Sequence, residues 1–443
     1  MNKYLYLIEK KINYEINYDV VKRRIDSNTV IYYLSCLVDS YIVNDLIKGF
    51  MIKRNTYLNG SVIKEENIDI IVTAIFSGCL LLVDNDSYYI IETRNYPTRS
   101  ISESESEKSL KGSHDSFNES ILTNTGLIRR RIKDEKFRCE LFTIGKESKT
   151  DVSLNYIEGK ANKKLLIKIK RRLKSINVNS LVMADKAISE LLFDQKYQIF
   201  PKVRFTERAD VASIHILKGY IVLIVDTSSS VIIIPTTFFE LNEQLQEYQL
   251  PPIIATFDRL FRMFCILIAM YLLPLWFLIC LDGSFTSDTF LLIENIDKTK
   301  LFIQIISVEI FLSVIRLASL NISNMLATSM SLVASIILSS LAIETGLIYP
   351  EVIFYCALST LALFSISNYE TSKAISICNL LLVVSVGLFD KLGFIITSTI
   401  LFINLVSIEN YNVFYLYPFI PFNIKEFIRV IIKKPINKYT KNN

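Results

Sequence analysis

RLFRMFCILIAMYLLPLWFLICL (residues 259–281) opens on two arginines and then carries no charge from Met263 to Leu281. A helix needs about 20 apolar residues to cross the hydrocarbon core of a bilayer, so this run predicts a first membrane span at 263–281. Upstream, apolar stretches are short and alternate with charges. Downstream, further runs recur at 301–317, 325–343, 352–366, 374–389 and 392–407, the last two separated only by Asp390 and Lys391. The chain has 443 residues, 51% apolar and 21% charged, with net charge +5. Those values would suit a soluble protein if the apolar residues were evenly spread, and their segregation implies two solvents. The expected fold is a multi-pass α-helical membrane domain of four to six helices, preceded by a cytoplasmic mixed α/β region of two related subdomains.

Orientation follows from basic residues flanking the spans. Arg259 and Arg262 precede the first, and Lys425, Arg429, Lys433, Lys434, Lys438 and Lys441 follow Ile424. Both ends are expected in the cytoplasm, with an even number of crossings. The N-terminus lacks an uninterrupted apolar core and a small-residue cleavage site, so no secretory signal is read there. Seven scattered cysteines without a CxxC pair argue against a disulfide framework or a zinc site and fit a reducing compartment.

Before residue 259 two segments look like variants of one unit. IDIIVTAIFSGCLLLVDNDSYYIIETRNYP and ADVASIHILKGYIVLIVDTSSSVIIIPTTF each run from an apolar helix through a glycine (Gly78, Gly219) into a hairpin whose first strand ends in Val-Asp. Asp84 and Asp226 are read as turn residues. Between the two lies SISESESEKSLKGS, too polar to bury. The expected organisation is therefore a first subdomain at 1–98, a Ser/Glu-rich linker at 99–115, a second subdomain at 116–258, the membrane domain at 259–424 and a basic cytoplasmic tail at 425–443. In SFNESILTNTGLIRRRIKDE, Ser116 and Glu119 fit a capping box starting a helix. Phe117, Ile121, Ile128 and Ile132 share one face of that helix, leaving Arg129, Arg130, Arg131 and Lys133 mostly on the other.

Catalytic motifs are missing: there is no P-loop, GxSxG or HExxH, and the two histidines, His114 and His215, stand far apart. No enzyme, cofactor or metal site is expected. The basic clusters at 129–131 and 168–174 lack the interleaved aromatics of a nucleic-acid surface; anionic lipid, an acidic partner or simple solvation remain open for them. Ionisable groups inside a hydrocarbon-length segment are costly, which singles out Glu309 and Arg316, seven residues apart on one helix face. They read as a pore-lining or gating pair, or else as an interhelical ion pair or part of a helix lying in the interface. Ser331 and Ser335, among the small polar residues of the third span, would line a hydrated path or let helices pack closely.

SLKGSHDSFNESILTNTGLIRRRIKDEKFRCELFTIGKESKTDVSLNYIEG (109–159) resembles the signature of the GerA-type spore germinant receptor A subunit family. The resemblance rests on Arg99 before the acidic linker, then Gly112, Phe117, Glu119, Ser120, Asn124, LIRRR with Arg129, Arg130 and Arg131, then Ser148, Lys149 and Thr150, and YIEG at 156–159. GLIYPEV, with Gly346 and Pro350, and YLYPFIPFN, with Pro418 and Pro421, agree with loops of the same family. GSHDSF, SKTDV and YPFIPFN are closer to the family's stage V sporulation protein AF branch than to nutrient-receptor A subunits. Two departures stand out: DTSSS replaces a common Asp-Gly-Ser-Pro, and the usual proline after Arg316 is missing. The resemblance implies a homo-oligomeric, ion-conducting protein of the spore inner membrane that amplifies monovalent cation release beside other germination membrane proteins. It implies the lipid bilayer as a partner and no nucleic acid. The signature residues would serve structure or assembly. The alternatives are a receptor A subunit working with a ligand-binding B subunit and a C lipoprotein, and a non-conducting scaffold that clusters receptors.

Overall fold

The computed structural model describes residues 3–52, 62–85, 87–97, 115–193, 198–244, 246–282, 297–321, 343–344, 346–411 and 413–433. Residues 99–114 of the expected 99–115 linker, with Arg99 and Gly112, most of the third span with Ser331 and Ser335, and the tail beyond Lys433 lie outside the described residues. The chain forms two compact units. One comprises Met1–Tyr197, Lys202–Thr236 and Asn410–Val413, and the other Gln198–Pro201, Thr237–Glu409 and Phe414–Asn443.

The first unit holds two five-stranded sheets. One is built from β1 (Val20–Arg24), β2 (Thr29–Leu34), β3 (Val62–Lys64), β4 (Leu80–Asp84) and β5 (Ser87–Ile91), with helices α1 (Lys3–Ile12), α2 (Ser40–Ile52) and α3 (Ile68–Phe76). The other uses β6 (Phe137–Ile144), β7 (Thr150–Ile157), β8 (Arg204–Thr206), β9 (Ile221–Val225) and β10 (Val231–Ile234), with α4 (Ile121–Arg131), α5 (Lys163–Ser175), α6 (Ala184–Phe193) and α7 (Ala209–Leu217). The strand orders are β1-β2-β4-β5-β3 and β6-β7-β9-β10-β8, the same path taken twice, with antiparallel pairing throughout. The repeat is thus larger than the two segments read from sequence. It opens on a helix and a hairpin, returns through a three-residue edge strand and ends on the helix–glycine–hairpin unit.

Burial explains the composition of the central strands. Every residue of β9 and β10 is buried, since α5 and α6 cover one face of their sheet while α4 and α7 cover the other. A strand buried on both faces reads as a continuous apolar run instead of an alternating one. The glycines that open β4 and β9 are required: Gly78 (φ +91°) and Gly219 (φ +96°) occupy left-handed backbone, and a Cβ there would lie 2.9 Å from the Leu37 carbonyl oxygen and 2.8 Å from that of Lys160.

In the second unit two short helices, α8 (Phe238–Leu241) and α9 (Gln246–Gln249), lead into α10 (Pro252–Leu267), a π-helical segment (Ile268–Leu272) and α11 (Leu273–Asp282). Then come α12 (Lys298–Asn321), α13 (Pro350–Phe364), α14 (Tyr369–Ser407) and α15 (Ile424–Ile431). Among the described residues two stretches are long and apolar enough to cross a membrane, Pro252–Asp282 and Tyr369–Ser407; Pro350–Phe364 is apolar but shorter. The first begins before the expected position 263, because Pro252 starts the helix and α10 carries Arg259 and Arg262 inside it. The second is broken at Asp390 (φ 53°, ψ −134°). A Cβ on Gly393 would lie 2.0 Å from the Ser385 carbonyl oxygen, an approach that a straight helix, rising about 1.5 Å per residue, forbids at that separation. The chain therefore folds back on itself at the position where sequence separates the last two runs.

These helices keep much of their apolar surface outside. Only 22% of the most apolar window of Tyr369–Ser407 is buried, against 39% for Pro252–Asp282. A core helix of a soluble protein would be mostly buried, so these faces are built for an apolar surrounding.

Candidate functional site

The signature segment becomes the joint of the first unit. α4 does not start from a Ser116–Glu119 capping box. Ser116 bridges Arg208 in extended backbone, and the Phe117 amide donates to the Glu207 carbonyl at 2.6 Å. The cap is Ser120, whose side chain accepts from the Thr123 amide. Asp226, read only as a turn residue, reaches from the β9–β10 hairpin to accept the Ile121 amide at 3.1 Å, which satisfies an orphan donor of the first turn and places a negative charge at the helix N-terminus. Asn124 locks the approach: its Oδ1 accepts the Asn118 amide at 2.9 Å and its Nδ2 donates to the Asn118 carbonyl at 2.6 Å.

Arg129 corrects the expectation of a solvated basic face. Its side chain and that of Asp19 are both fully buried. The guanidinium donates twice to this one carboxylate, Nε to Oδ2 at 2.8 Å and Nη2 to Oδ1 at 3.1 Å, and once more to the Phe137 carbonyl at 3.3 Å. Phe137 and Phe76 rings lie 4.5 and 5.0 Å from it. Asp19 precedes β1 and Phe76 ends α3, whereas Phe137 starts β6, so the pair ties the first sheet's segment to the second. Neighbouring bonds repeat the tie: Asn17 Oδ1 accepts the Cys139 amide at 2.9 Å, the Tyr18 amide donates to the Cys139 carbonyl at 3.1 Å, and the Tyr18 hydroxyl meets Thr125 Oγ1 at 2.6 Å. Burial pushes the Tyr18 hydroxyl and the Cys36 and Cys139 thiols up from their ordinary pKa values, holding all three neutral. Arg131 pairs with Asp115 at 2.6 Å. Arg130 alone of the three is exposed, over the Tyr96 ring.

The other signature positions are dispersed. Phe117 is in the core, while the Glu119 side chain is exposed and its carbonyl accepts the Thr227 amide. Ser148 and Lys149 lie in the β6–β7 turn, with Lys149 in left-handed backbone at φ 43°, and Thr150 opens β7 opposite Ile144. Gly346 (φ 65°) precedes Pro350, which sits in the first turn of α13, and Pro418 and Pro421 follow cis peptide bonds. Lys170, from the second basic cluster, pairs with Glu140 at 2.5 Å, and His215 is a core residue accounted for by the Val211 carbonyl at 2.8 Å.

In the second unit Glu309 and Arg316 both lie half-buried on α12. Glu309 lies on the side of α12 near Cys356 of α13, and the Arg316 guanidinium stands 5.2 Å from the Phe364 ring. Sequence reasoning passed over a second polar centre. The π-helical turn between α10 and α11 widens the backbone and frees carbonyls, and the Ala269 carbonyl accepts from Asn379 Nδ2 at 2.8 Å and Ser359 Oγ at 3.1 Å. Asn379 is 3% exposed. Arg259 and Arg262, used above for orientation, are themselves paired: Arg259 with Glu243 at 2.5 Å and with Glu247, and Arg262 with Glu247 at 2.5 Å.

Comparison with known proteins decides the family. The model of the Bacillus/Clostridium GerA spore germination protein matches residues 7–443. The chain belongs to the GerA family. Stage V sporulation protein AF of Bacillus subtilis (strain 168) is 35% identical, over 96% of this chain and 90% of that protein. Spore germination protein A1 of the same organism is 26% identical over 96% and 92%, and spore germination protein GerQA of Bacillus cereus 27% over 93% and 86%. The crystal structure of the N-terminal domain of the A subunit of the Bacillus megaterium spore germinant receptor GerK3 matches at 27% identity and a TM-score of 0.40, covering 53% of this chain and 94% of that one. This GerA protein thus shares most of its length with proteins named for sporulation and germination.

Proposed function

We propose that this GerA protein crosses the spore inner membrane four to six times and acts as a subunit of an oligomeric, ion-conducting complex that promotes monovalent cation release during germination. The observation that carries the reading is the placing of Glu309 and Arg316 on one helix within a bundle that turns apolar faces outward, since intramembrane ionisable groups belong to interiors and ion paths. The contacts between the described helices support several crossings. Lys298 of α12 pairs with Asp390 at 2.7 Å and Lys391 pairs with Asp282, so the end of α11, the start of α12 and the turn of α14 meet at one level. Gln304 Nε2 donates to the Leu347 carbonyl at 2.7 Å, whereas α12 ends at Asn321, about 26 Å further along the helix. The N-terminal unit and the basic tail are assigned to the cytoplasm by the positive-inside rule. The greater identity to protein AF (35%) than to proteins A1 and GerQA (26% and 27%) favours the amplifying role over that of a nutrient-receptor subunit.

The test is potassium release from germinating spores that carry Glu309→Ala or Arg316→Ala at normal protein level. The expected result is release slowed several-fold in each. Unchanged release would remove the pore assignment, and purified protein that conducts nothing while receptor clustering depends on it would favour a scaffold.

A further inference from the structure

Within the first unit a cavity of about 390 Å³ opens where the chain leaves β7, where α5 begins and where α7 turns into β9. Four of its lining side chains are lysines, Lys160, Lys164, Lys168 and Lys218, and none of the described lining residues is acidic. Lys164 and Lys168 stand one turn apart on α5, where like charges repel, and the first turn of α5 holds no acidic residue. Gly219 lets the 218–220 turn rest on the Lys160 carbonyl, and Lys160 Nζ reaches the Leu217 carbonyl at 3.4 Å, so both loops bring a lysine to one rim. The duplicated fold provides an internal control. At the matching turn of the first repeat, Gly78 rests in the same way on Leu37, with Ser77 before it; the backbone device is common to both repeats, and the lysines belong to the second alone. Tyr411 closes the cavity, held by its hydroxyl to the Leu192 carbonyl at 2.8 Å and by its ring against Phe193. It follows Ser407, the last residue of α14, by four positions, so chain length alone keeps it within about 14 Å of that helix end.

We infer that this cavity binds a phosphate-bearing anion, supplied by the headgroup of an anionic phospholipid or by free phosphate. Convergent ammonium groups recognise a phosphate as point charges. The lipid source rests on the reading that α14 crosses a bilayer, which puts its end at headgroup level; the phosphate chemistry does not.

The test uses the full chain in phosphatidylcholine nanodiscs and follows lysine acetylation by a limiting reagent, read by mass spectrometry. The probes are inorganic phosphate in solution and phosphatidylglycerol in the disc. Lys164 and Lys218 are expected to lose reactivity several-fold while the exposed Lys10 and Lys133 do not, and the double variant K164Q/K218Q is expected to raise the half-protecting phosphate concentration at least tenfold. Protection by phosphatidylglycerol alone assigns the lipid source, and protection by phosphate alone assigns the free anion. Protection by neither probe, or equal protection of Lys10 and Lys133, overturns the site. Release of the chain from spore membranes by alkaline carbonate would overturn the membrane reading and leave the phosphate arm standing.

Discussion

Thr227 holds φ 66° in the turn between β9 and β10, a conformation that costs an L-residue about 1–2 kcal/mol and suits a β-branched one least. It is the position where the family commonly has glycine, so the departure visible in DTSSS acquires a physical meaning. Thr227→Gly is expected to stabilise the protein by about 0.5–1 kcal/mol after the added entropy of the unfolded chain is subtracted, measured as a higher thermal midpoint of the first unit; a lower midpoint would contradict this. The buried thiols make a pH prediction. Burial raises the pKa of Cys36, Cys79 and Cys139 in the folded chain, whereas an unfolded thiol titrates near about 8.5. Above that pH the unfolded state gives up protons that the folded state keeps, so stability is complete below pH of about 8.5 and declines as pH rises. Thermal midpoints between pH 8 and 10 are expected to fall less steeply in Cys36→Ser and Cys139→Ser than in the parent. Arg129 shows what a single residue reveals and conceals. At about 100° per residue it sits some 60° from Ile132 and 80° from Ile121 on the helical wheel, at the edge of the apolar arc, with Arg130 opposite. Grouping it with its basic neighbours on the outer face hid that edge position. Nothing local points to Asp19, 110 positions away.

At the scale of elements, α4 is wedged between layers, which is why its sequence reads as weakly amphipathic although most of it is buried. Gly126 belongs to that wedge, since a Cβ there would lie 2.7 Å from the Cys36 carbonyl oxygen. Removing one partner of a buried ion pair strands the other, at a cost of about 3–5 kcal/mol. Arg129→Ala and Asp19→Ala are each expected to destabilise the first unit by that amount, and the double variant by much less than the sum; denaturant midpoints across the double-mutant cycle measure it, and additive losses would mean the pair is not coupled. The helix–glycine–hairpin units were legible because apolar runs, glycine and turn residues coincide. The rest of each repeat was not. β3 and β8 are three-residue edge strands, too short to show a period of two, and the cap of α4 depends on Asp226 from a distant hairpin, so Ser116 and Ser120 look alike to a local pattern.

At the scale of the whole molecule, the path of the chain restricts how it can cross a bilayer. Asn410–Val413, just beyond the last long helix, belongs to the same compact unit as the residues before Thr237, and one folded unit occupies one side of a membrane. On the proposed topology the chain between them crosses an even number of times, in keeping with the basic residues at both ends. Apolar runs are visible in sequence because a membrane-length helix needs uninterrupted apolar residues, whereas inward residues such as Gln304 and Asn379 are polar singletons whose partners only the packing supplies. The fold-back at Asp390 makes the topology testable. Lys298→Cys and Lys391→Cys flank the shared turn level, where their ion pairs are partly exposed, and Tyr369→Cys and Glu409→Cys mark the opposite end of the hairpin. In sealed right-side-out vesicles an impermeant maleimide is expected to label the first two and spare the second two, with the pattern reversed in inverted vesicles. Labelling of positions 369 and 391 from the same side would mean that this half of α14 does not cross, and would reduce the count of spans accordingly.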